Sequence, residues 1–393
     1  MKTIKHKSLL SNNIRFLPGE TGVYVNTVLR SLGMYLVYLF IPIYVYQLTG
    51  RLESAFIFFA IYHLMVVISA VPAGWMTQKI GVDLTEFISS VFRALVLFFL
   101  ILGKQNTNFL WIAGLLWGIT VAFFWIPYHY TVVGAEEEDG KFGKETSLIK
   151  ILEQITSSLG PFLGGLIIVS LGFNWLYSLA IILVLLSGLP LFFDKFTKKG
   201  MRFNVKKVGV SFWQKGNKRF VLAFTGLGTI DAIAAIAWPI YMFLVIKNYE
   251  VMGIIQTLSL FLGLIFLWVL GKQIDKKGSG ILKWGVYVNS FIWLTRAFLK
   301  TPLTVFISNT IYGFGSLLTY TPFDALMYKS MLPRRKLEFL MMREIAIHGG
   351  GFVTCLLVWQ MIKLEISWMW IFALGTLGYL VVLAVGKIIK END

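Results

Sequence analysis

Twelve apolar runs, each long enough to cross a bilayer, constrain this chain more than any other feature. They cover approximately residues 20–48, 53–77, 84–103, 108–132, 146–170, 174–194, 219–246, 251–272, 281–300, 303–328, 337–362 and 368–389. A helix needs roughly 20 apolar residues to span the hydrocarbon core, and in lipid a spanning segment must satisfy its own backbone. The expectation is an all-α membrane protein with twelve transmembrane helices, numbered here as segments one to twelve. Composition agrees, with 57% hydrophobic and 14% charged residues, where a soluble domain carries about 25% charged residues. The first run is too long and too studded with polar residues for a cleaved signal peptide. Four histidines and one cysteine, Cys355, leave little for a metal site and nothing for a disulfide. No metal and no cofactor are expected.

In a soluble chain the net charge of +16 would point to nucleic acid. Its distribution points to topology instead. Lys2, Lys5, Lys7 and Arg15 precede segment one, and nine bases from Lys195 to Arg219 fill the loop between segments six and seven. Arg334, Arg335 and Lys336 precede segment eleven, while the alternate loops carry one base or none. The bias places both termini and the middle loop in the cytoplasm of a multi-pass cell-membrane protein. Anionic lipid is then the partner of the positive charge, not nucleic acid, and a monomer is expected. The acidic loop at Glu136-Glu137-Glu138-Asp139 departs from the basic pattern and reads as a solvated turn or as an electrostatic contact with the basic middle loop.

The chain also repeats itself. Gly271-Lys272-Gln273-Ile274-Asp275-Lys276-Lys277-Gly278 lies between segments eight and nine, and a degraded copy lies 197 positions earlier at Gly74, Gln78, Lys79 and Gly81. Pro42-Ile43-Tyr44 recurs at the same offset as Pro239-Ile240-Tyr241. Gly118 with Pro127-Tyr128 answers to Gly313 with Pro322-Phe323, and Glu153 with Gly160 answers to Glu344 with Gly351. An offset of about half the chain implies two copies of one six-helix unit. The expected organisation is residues 1–194 and 219–393 as two six-helix bundles. Residues 195–218, with no clear helical period, form a basic cytoplasmic linker between them.

Twelve helices, cytoplasmic termini, a long basic middle loop and a duplicated loop between the second and third helices of each half resemble the major facilitator superfamily. The loop pattern of that family, G-x-x-x-D-R-x-G, is matched by Gly271, Asp275 and Gly278, with Lys276 in place of Arg. In the N-terminal copy Gln78 stands where the acid belongs. Gly160-Pro161-Phe162-Leu163-Gly164-Gly165 in segment five resembles the G-P-x-x-G-G run of drug/proton antiporters, which leans toward export. Its small residues also permit close helix packing. Where the family places an Arg four residues before the segment-four glycine, this chain has Gly114 before Gly118. The resemblance implies secondary transport by alternating access, with segments one, five, seven and eleven lining the cavity. It also implies a conformational latch in which Asp275 meets the start of segment five near Lys144, and Gln78, more weakly, the start of segment eleven.

An ionisable side chain near the bilayer centre costs at least ~2.5–3.5 kcal/mol and is a functional candidate by default. Arg30, about ten residues into segment one, lies roughly 15 Å from its start, with Asn26 and Thr27 one turn below on the same face. Asp231 in segment seven lies at similar depth, so an Arg30–Asp231 pair across the two halves is the least costly arrangement. Glu153 and Glu344 are matched acids about seven residues into segments five and eleven. Gln154 follows Glu153, Arg343 adjoins Glu344, and His348 shares the Glu344 face four residues on. A carboxylate one turn from an imidazole can relay a proton, or it can serve as a satisfied polar cluster.

His129 and Asp324, just past the matched prolines of segments four and ten, are candidates for a gate or for cavity contacts, as are Asn26 and Trp238. His63 stands alone in segment two and reads as a packing residue. Arg296, in segment nine, is expected to snorkel to the outer interface. No H-E-x-x-H or G-x-S-x-G run is present. The expected function is transport of a small molecule, coupled to protons, with export favoured. The alternatives are a non-transporting receptor or scaffold, or an intramembrane lipid-modifying enzyme.

Overall fold

In the computed structural model the backbone is described for residues 19–139, 144–193, 203–214, 216–277, 280–331 and 336–385. Side chains are described for residues 24–133, 151–190, 203–214, 216–266, 280–331 and 336–385. No strand occurs among these residues. Segment one comprises α1 (Gly19–Tyr38) and α2 (Ile41–Thr49), followed by α3 (Leu52–Ile80), α4 (Val82–Leu102), α5 (Asn108–Asp139), α6 (Lys144–Leu171) and α7 (Phe173–Phe193). A short helix α8 (Val205–Trp213) leads to α9 (Asn217–Ala232), a π-helical turn (Ile233–Ala237) and α10 (Trp238–Ile246), which together make segment seven. The chain closes with α11 (Tyr249–Lys277), α12 (Gly280–Thr295), α13 (Pro302–Met331), α14 (Lys336–Lys363) and α15 (Trp368–Val382).

Ten helical stretches among the described residues are long and apolar enough to cross a membrane. The runs expected as segments nine and ten are helical but fall outside that set. The helix α12 gives way after 16 residues to a 3-10 turn, Arg296–Phe298. The 30-residue α13 is long enough, but Asn309, Thr310, Ser316 and Thr319 make its apolar character weaker.

The repeat is visible in the packing. Within the first half α1 packs on α6 and α7, α3 on α5, and α4 on α5 and α7. In the second, α9 packs on α14 and α15, α11 on α13, and α12 on α13 and α15. The matched prolines explain the two interruptions. A proline lacks the N–H and crowds the carbonyl one turn back, so α1 breaks at Leu39-Phe40 ahead of Pro42, and segment seven widens into a π turn ahead of Pro239. The matched tyrosines then do the same job in each half. The Tyr44 hydroxyl donates to the Leu100 carbonyl at 3.0 Å and that of Tyr241 to the Ala297 carbonyl at 2.8 Å, each 56 residues on.

Two seams join the halves, α3 against α14 and α6 against α11. The face where α1 begins is the lower face and the opposite one the upper. On the upper face α2 meets α10, and the Tyr249 hydroxyl bonds to Gln47. Residues 195–202 and 215 of the expected linker lie outside the described residues, but a helix stands within the rest of it. Asn204 caps α8 by accepting from the Lys206 N–H at 3.0 Å, and α8 packs on α14 and α9. A nine-residue helix shows too few turns for its period to stand out in a basic stretch, and its cap and tertiary contacts hold it.

Candidate functional site

Near the middle of the α3–α14 seam a chain of polar groups crosses from one half to the other. Arg343 pairs with Glu344 beside it on α14. The other Glu344 oxygen, Oε2, lies 3.5 Å from His348 Nε2, one turn further on. His348 Nδ1 lies 2.8 Å from His63 Nδ1 on α3, and Gly351 leaves room for the His63 ring, which a Cβ there would strike. Glu344, His348 and His63 are all buried. Glu344 as a carboxylate only accepts, so His348 carries its proton on Nε2. A hydrogen bond between two Nδ1 atoms then needs one N–H and one lone pair. His63 supplies the N–H if His348 is neutral, and His348 does so once it is an imidazolium. The expected Glu344–His348 pairing is present, whereas His63, expected to be an isolated packing residue, extends it across the seam. Sequence offered no signal for this contact, which joins residues 285 apart.

The pairing expected for Arg30 is not formed. Its Nη2 lies 3.4 Å from Glu153 Oε1 on α6, and its guanidinium rests 4.0 Å over the Phe124 ring. Both side chains of this pair are partly exposed, at 15% and 24%. An acid on the adjoining helix of the same half is reached at less cost than one across the interior. Glu86 on α4 and Arg93 are also within electrostatic reach of Arg30, and Arg93 donates to the Met34 sulfur at 2.8 Å. Asp231 makes no ion pair among the described residues. The residue is exposed and lies within electrostatic reach of His348, Arg343 and Glu344 and of Tyr38 and Tyr312. Asn26, expected on the cavity face, instead donates to the Ser187 carbonyl at 2.6 Å and ties α1 to α7.

A cavity of about 460 Å³ lies between α1, α6, the π turn with α10, α11 and α13. Small-molecule sites run to roughly 300–1,000 Å³. Its wall is largely apolar and aromatic, with Trp238, expected to line it, among its residues. Gln154 and Gln256 add polar groups. The one formally charged side chain among the lining residues is Arg296. The expectation that it snorkels to the outer interface is overturned: the residue is fully buried. The 3-10 turn after α12 sends Phe298 outward, 65% exposed, and Arg296 inward. There the guanidinium lies 3.9 Å from the Trp238 ring centre, 4.1 Å from that of Trp293 and 4.3 Å from that of Tyr312. Such contacts are worth about 2 kcal/mol or more where water is excluded. Arg296 Nε donates to Ser308 at 3.4 Å and Nη2 to Asn309 Oδ1 at 3.2 Å. Asn309 also accepts from the Trp238 indole at 2.8 Å and donates to Gln256 at 3.2 Å.

An aromatic file connects cavity to seam. Tyr38, on the cavity wall, stands edge-on to Trp117 at 6.3 Å, Trp117 meets Tyr62 at 5.6 Å, and Tyr62 stands edge-on to His348 at 5.4 Å.

This arrangement, two matched helix sets around a central cavity with buried charge, matches a known family over most of its length. The sequence profile of the Major Facilitator Superfamily aligns with residues 23–353. The chain belongs to the Major Facilitator Superfamily. Its relatives include the uncharacterized protein YqgE of Bacillus subtilis, 25% identical over 349 residues, covering 84% of this chain and 79% of that protein. An uncharacterized MFS-type transporter of Methanocaldococcus jannaschii is 22% identical over 341 residues, covering 84% and 88%. The crystal structure of the E. coli fucose:proton symporter FucP superposes with a TM-score of 0.63 at 14% identity, covering 94% of this chain and 98% of that one. This is a membrane transporter of the superfamily and not an enzyme.

The superfamily loop motifs fare unequally. In the N-terminal copy Gly74 on α3 abuts the Met341 side chain near the start of α14, and Gly81 (φ 98°) turns the chain into α4. Gln78 lies one turn beyond Gly74 on α3. The other latch residues, Gly271, Asp275, Lys276, Gly278 and Lys144, lie outside the residues whose side chains are described, as does the acidic stretch 136–139. In the segment-five run, a Cβ at Gly160 or Gly164 would strike α1 at Tyr35 or Leu36, and one at Gly165 would strike the Tyr249 backbone on α11. Pro161 lines the cavity. These glycines therefore seat α6 between α1 and α11. His129 on α5 bonds through Nδ1 to the Tyr328 hydroxyl on α13 at 2.8 Å and stacks on Trp125 at 5.3 Å. It thus bridges the halves near the lower face. Asp324, one turn before Tyr328, lies within electrostatic reach of Arg343.

Proposed function

We propose that this transporter is proton-coupled, works by alternating access, and uses Glu344, His348 and His63 as its proton-carrying group. The observation that carries the reading is the His63–His348 hydrogen bond, because it lies on the contact between the two halves. A shared proton holds the rings together. Protonation of both rings removes the last lone pair from the bond and places two cations side by side, which favours parting of α3 from α14. Protonation and the rocking of the halves are then one equilibrium, as the superfamily repeat allows around a fixed central site. Asp231, within electrostatic reach of both the relay and the cavity tyrosines, is the acid through which the proton is exchanged with the cavity. The FucP neighbour is by name a proton symporter, which supports coupling by analogy of fold. Export is the direction favoured by the resemblance of Gly160–Gly165 to antiporter sequences. With both termini and the basic loop assigned to the cytoplasm, the lower face is the inner one.

The test is solute-dependent proton movement. Proteoliposomes carrying a trapped pH-sensitive dye are challenged with a panel of metabolites and drugs. At least one compound should move protons through the native chain and none through His348→Ala. Solute flux with no proton movement, or unchanged proton movement in the variant, refutes the assignment. The sign of the proton movement in vesicles of known orientation decides between export and uptake.

A further inference from the structure

Arg296 lies outside the relay and outside the Arg30 cluster, and its setting is unusual for an intramembrane base. It is fully buried, yet among the described residues no carboxylate lies within ion-pair distance of it, and its Nη1 has no hydrogen-bond partner. Two of its nitrogens are spent on neutral groups, Ser308 and Asn309. Aromatic rings attract a cation but do not neutralise it, and a buried charge is retained when a counter-ion repays its desolvation. The side chain borders the 460 Å³ cavity as its one formal charge. The rest of the wall supplies aromatic faces, including Tyr312 and Trp238. Asn309 and Gln256 form an amide pair beside the guanidinium, with further donors and acceptors.

We propose that Arg296 and its cage of Trp238, Trp293 and Tyr312 form the anion-recognising subsite of the transport cavity, and that the substrate is an organic acid with one carboxylate on an apolar or aromatic body. The carboxylate completes the guanidinium by accepting from Nη1, and the body packs on the aromatic wall. This rests on the reading of the chain as a transporter, but not on proton coupling. Arginine rather than lysine suits the place, since a planar cation stacks between rings while keeping its edge for a carboxylate.

The test is equilibrium binding to the purified full-length protein, read by quenching of the cage tryptophans and by thermal shift. The probes are hexanoate, benzoate, phenylacetate and indole-3-acetate, each paired with its neutral amide. In the native chain the acids should bind and the amides should bind at least tenfold more weakly (roughly 1.4 kcal/mol). Arg296→Gln should lose acid binding by roughly 30-fold or more, the scale for removing one partner of a buried charge pair. Arg296→Lys should retain part of it. Acid binding and proton movement are read separately in the native chain, so failure of the proton reading shows as acid binding that is accompanied by no proton movement. Equal binding of acids and amides, or no acid binding to the native chain, overturns the proposal even if Arg296→Gln does not fold.

Discussion

Replacing His63 by leucine tests the seam directly. The substitution removes the one polar group that α3 contributes to the relay and leaves His348 Nδ1 without its 2.8 Å partner in a buried site. Leaving a buried polar atom unsatisfied costs about 1–3 kcal/mol. The cost falls only on the state in which α3 and α14 are in contact, so the equilibrium should move toward the parted state by roughly 5- to 150-fold, since 1.4 kcal/mol is tenfold. The groups facing His348 are Glu344 and Arg343 on its own helix, His63 and Tyr62 on α3, and Asp231 on α9. Acid adds protons to the facing histidines, so it should part the seam in the native chain, and the variant should be parted at acid and neutral pH alike. Spin labels at Lys79 and Lys336, near the lower ends of α3 and α14, report the distance once buried Cys355 is replaced by serine. His63→Gln, whose amide can still donate, should recover part of the contact. A distance distribution that ignores pH in the native chain, or is unaltered in His63→Leu, refutes the reasoning.

Three further outcomes are expected. Glu344→Gln should abolish uphill transport but preserve counterflow of labelled substrate, which needs no net proton movement; a variant that still concentrates substrate down a pH gradient contradicts this. Arg30 and Glu153 should show a coupling of only about 0.2–1 kcal/mol in a double-mutant cycle of thermal stability, the range for exposed pairs, while exchanging the charges of Arg30 and Asp231 should rescue nothing; rescue there would show that Arg30 changes partner during the cycle. Gly165→Leu should prevent α6 from seating on Tyr249, with an overpacking cost of about 1–3 kcal/mol or more. It should appear as lost thermal stability or as widened distances between the upper ends of α6 and α11, and an unchanged protein would remove the close-packing account of that run.

The features legible in the sequence were those that depend on position along a helix. Apolar length marked the spanning segments, and the offset of 197 matched Tyr44 with Tyr241, whose hydroxyls make equivalent bonds in the two halves. The i,i+4 spacing put Glu344 and His348 on one face, as found. Rotation about the helix axis was a different matter. A soluble helix declares its inward face by the polar residues opposite it, but a helix flanked by lipid on one side and protein on the other is apolar all round. Nothing in the local pattern therefore told that His63 meets His348 across the seam, that Arg30 turns to Glu153 instead of Asp231, or that Arg296 points into the cage while Phe298 faces out. Those choices were settled by which helices pack together and at what angle, and so only the tertiary structure could decide them.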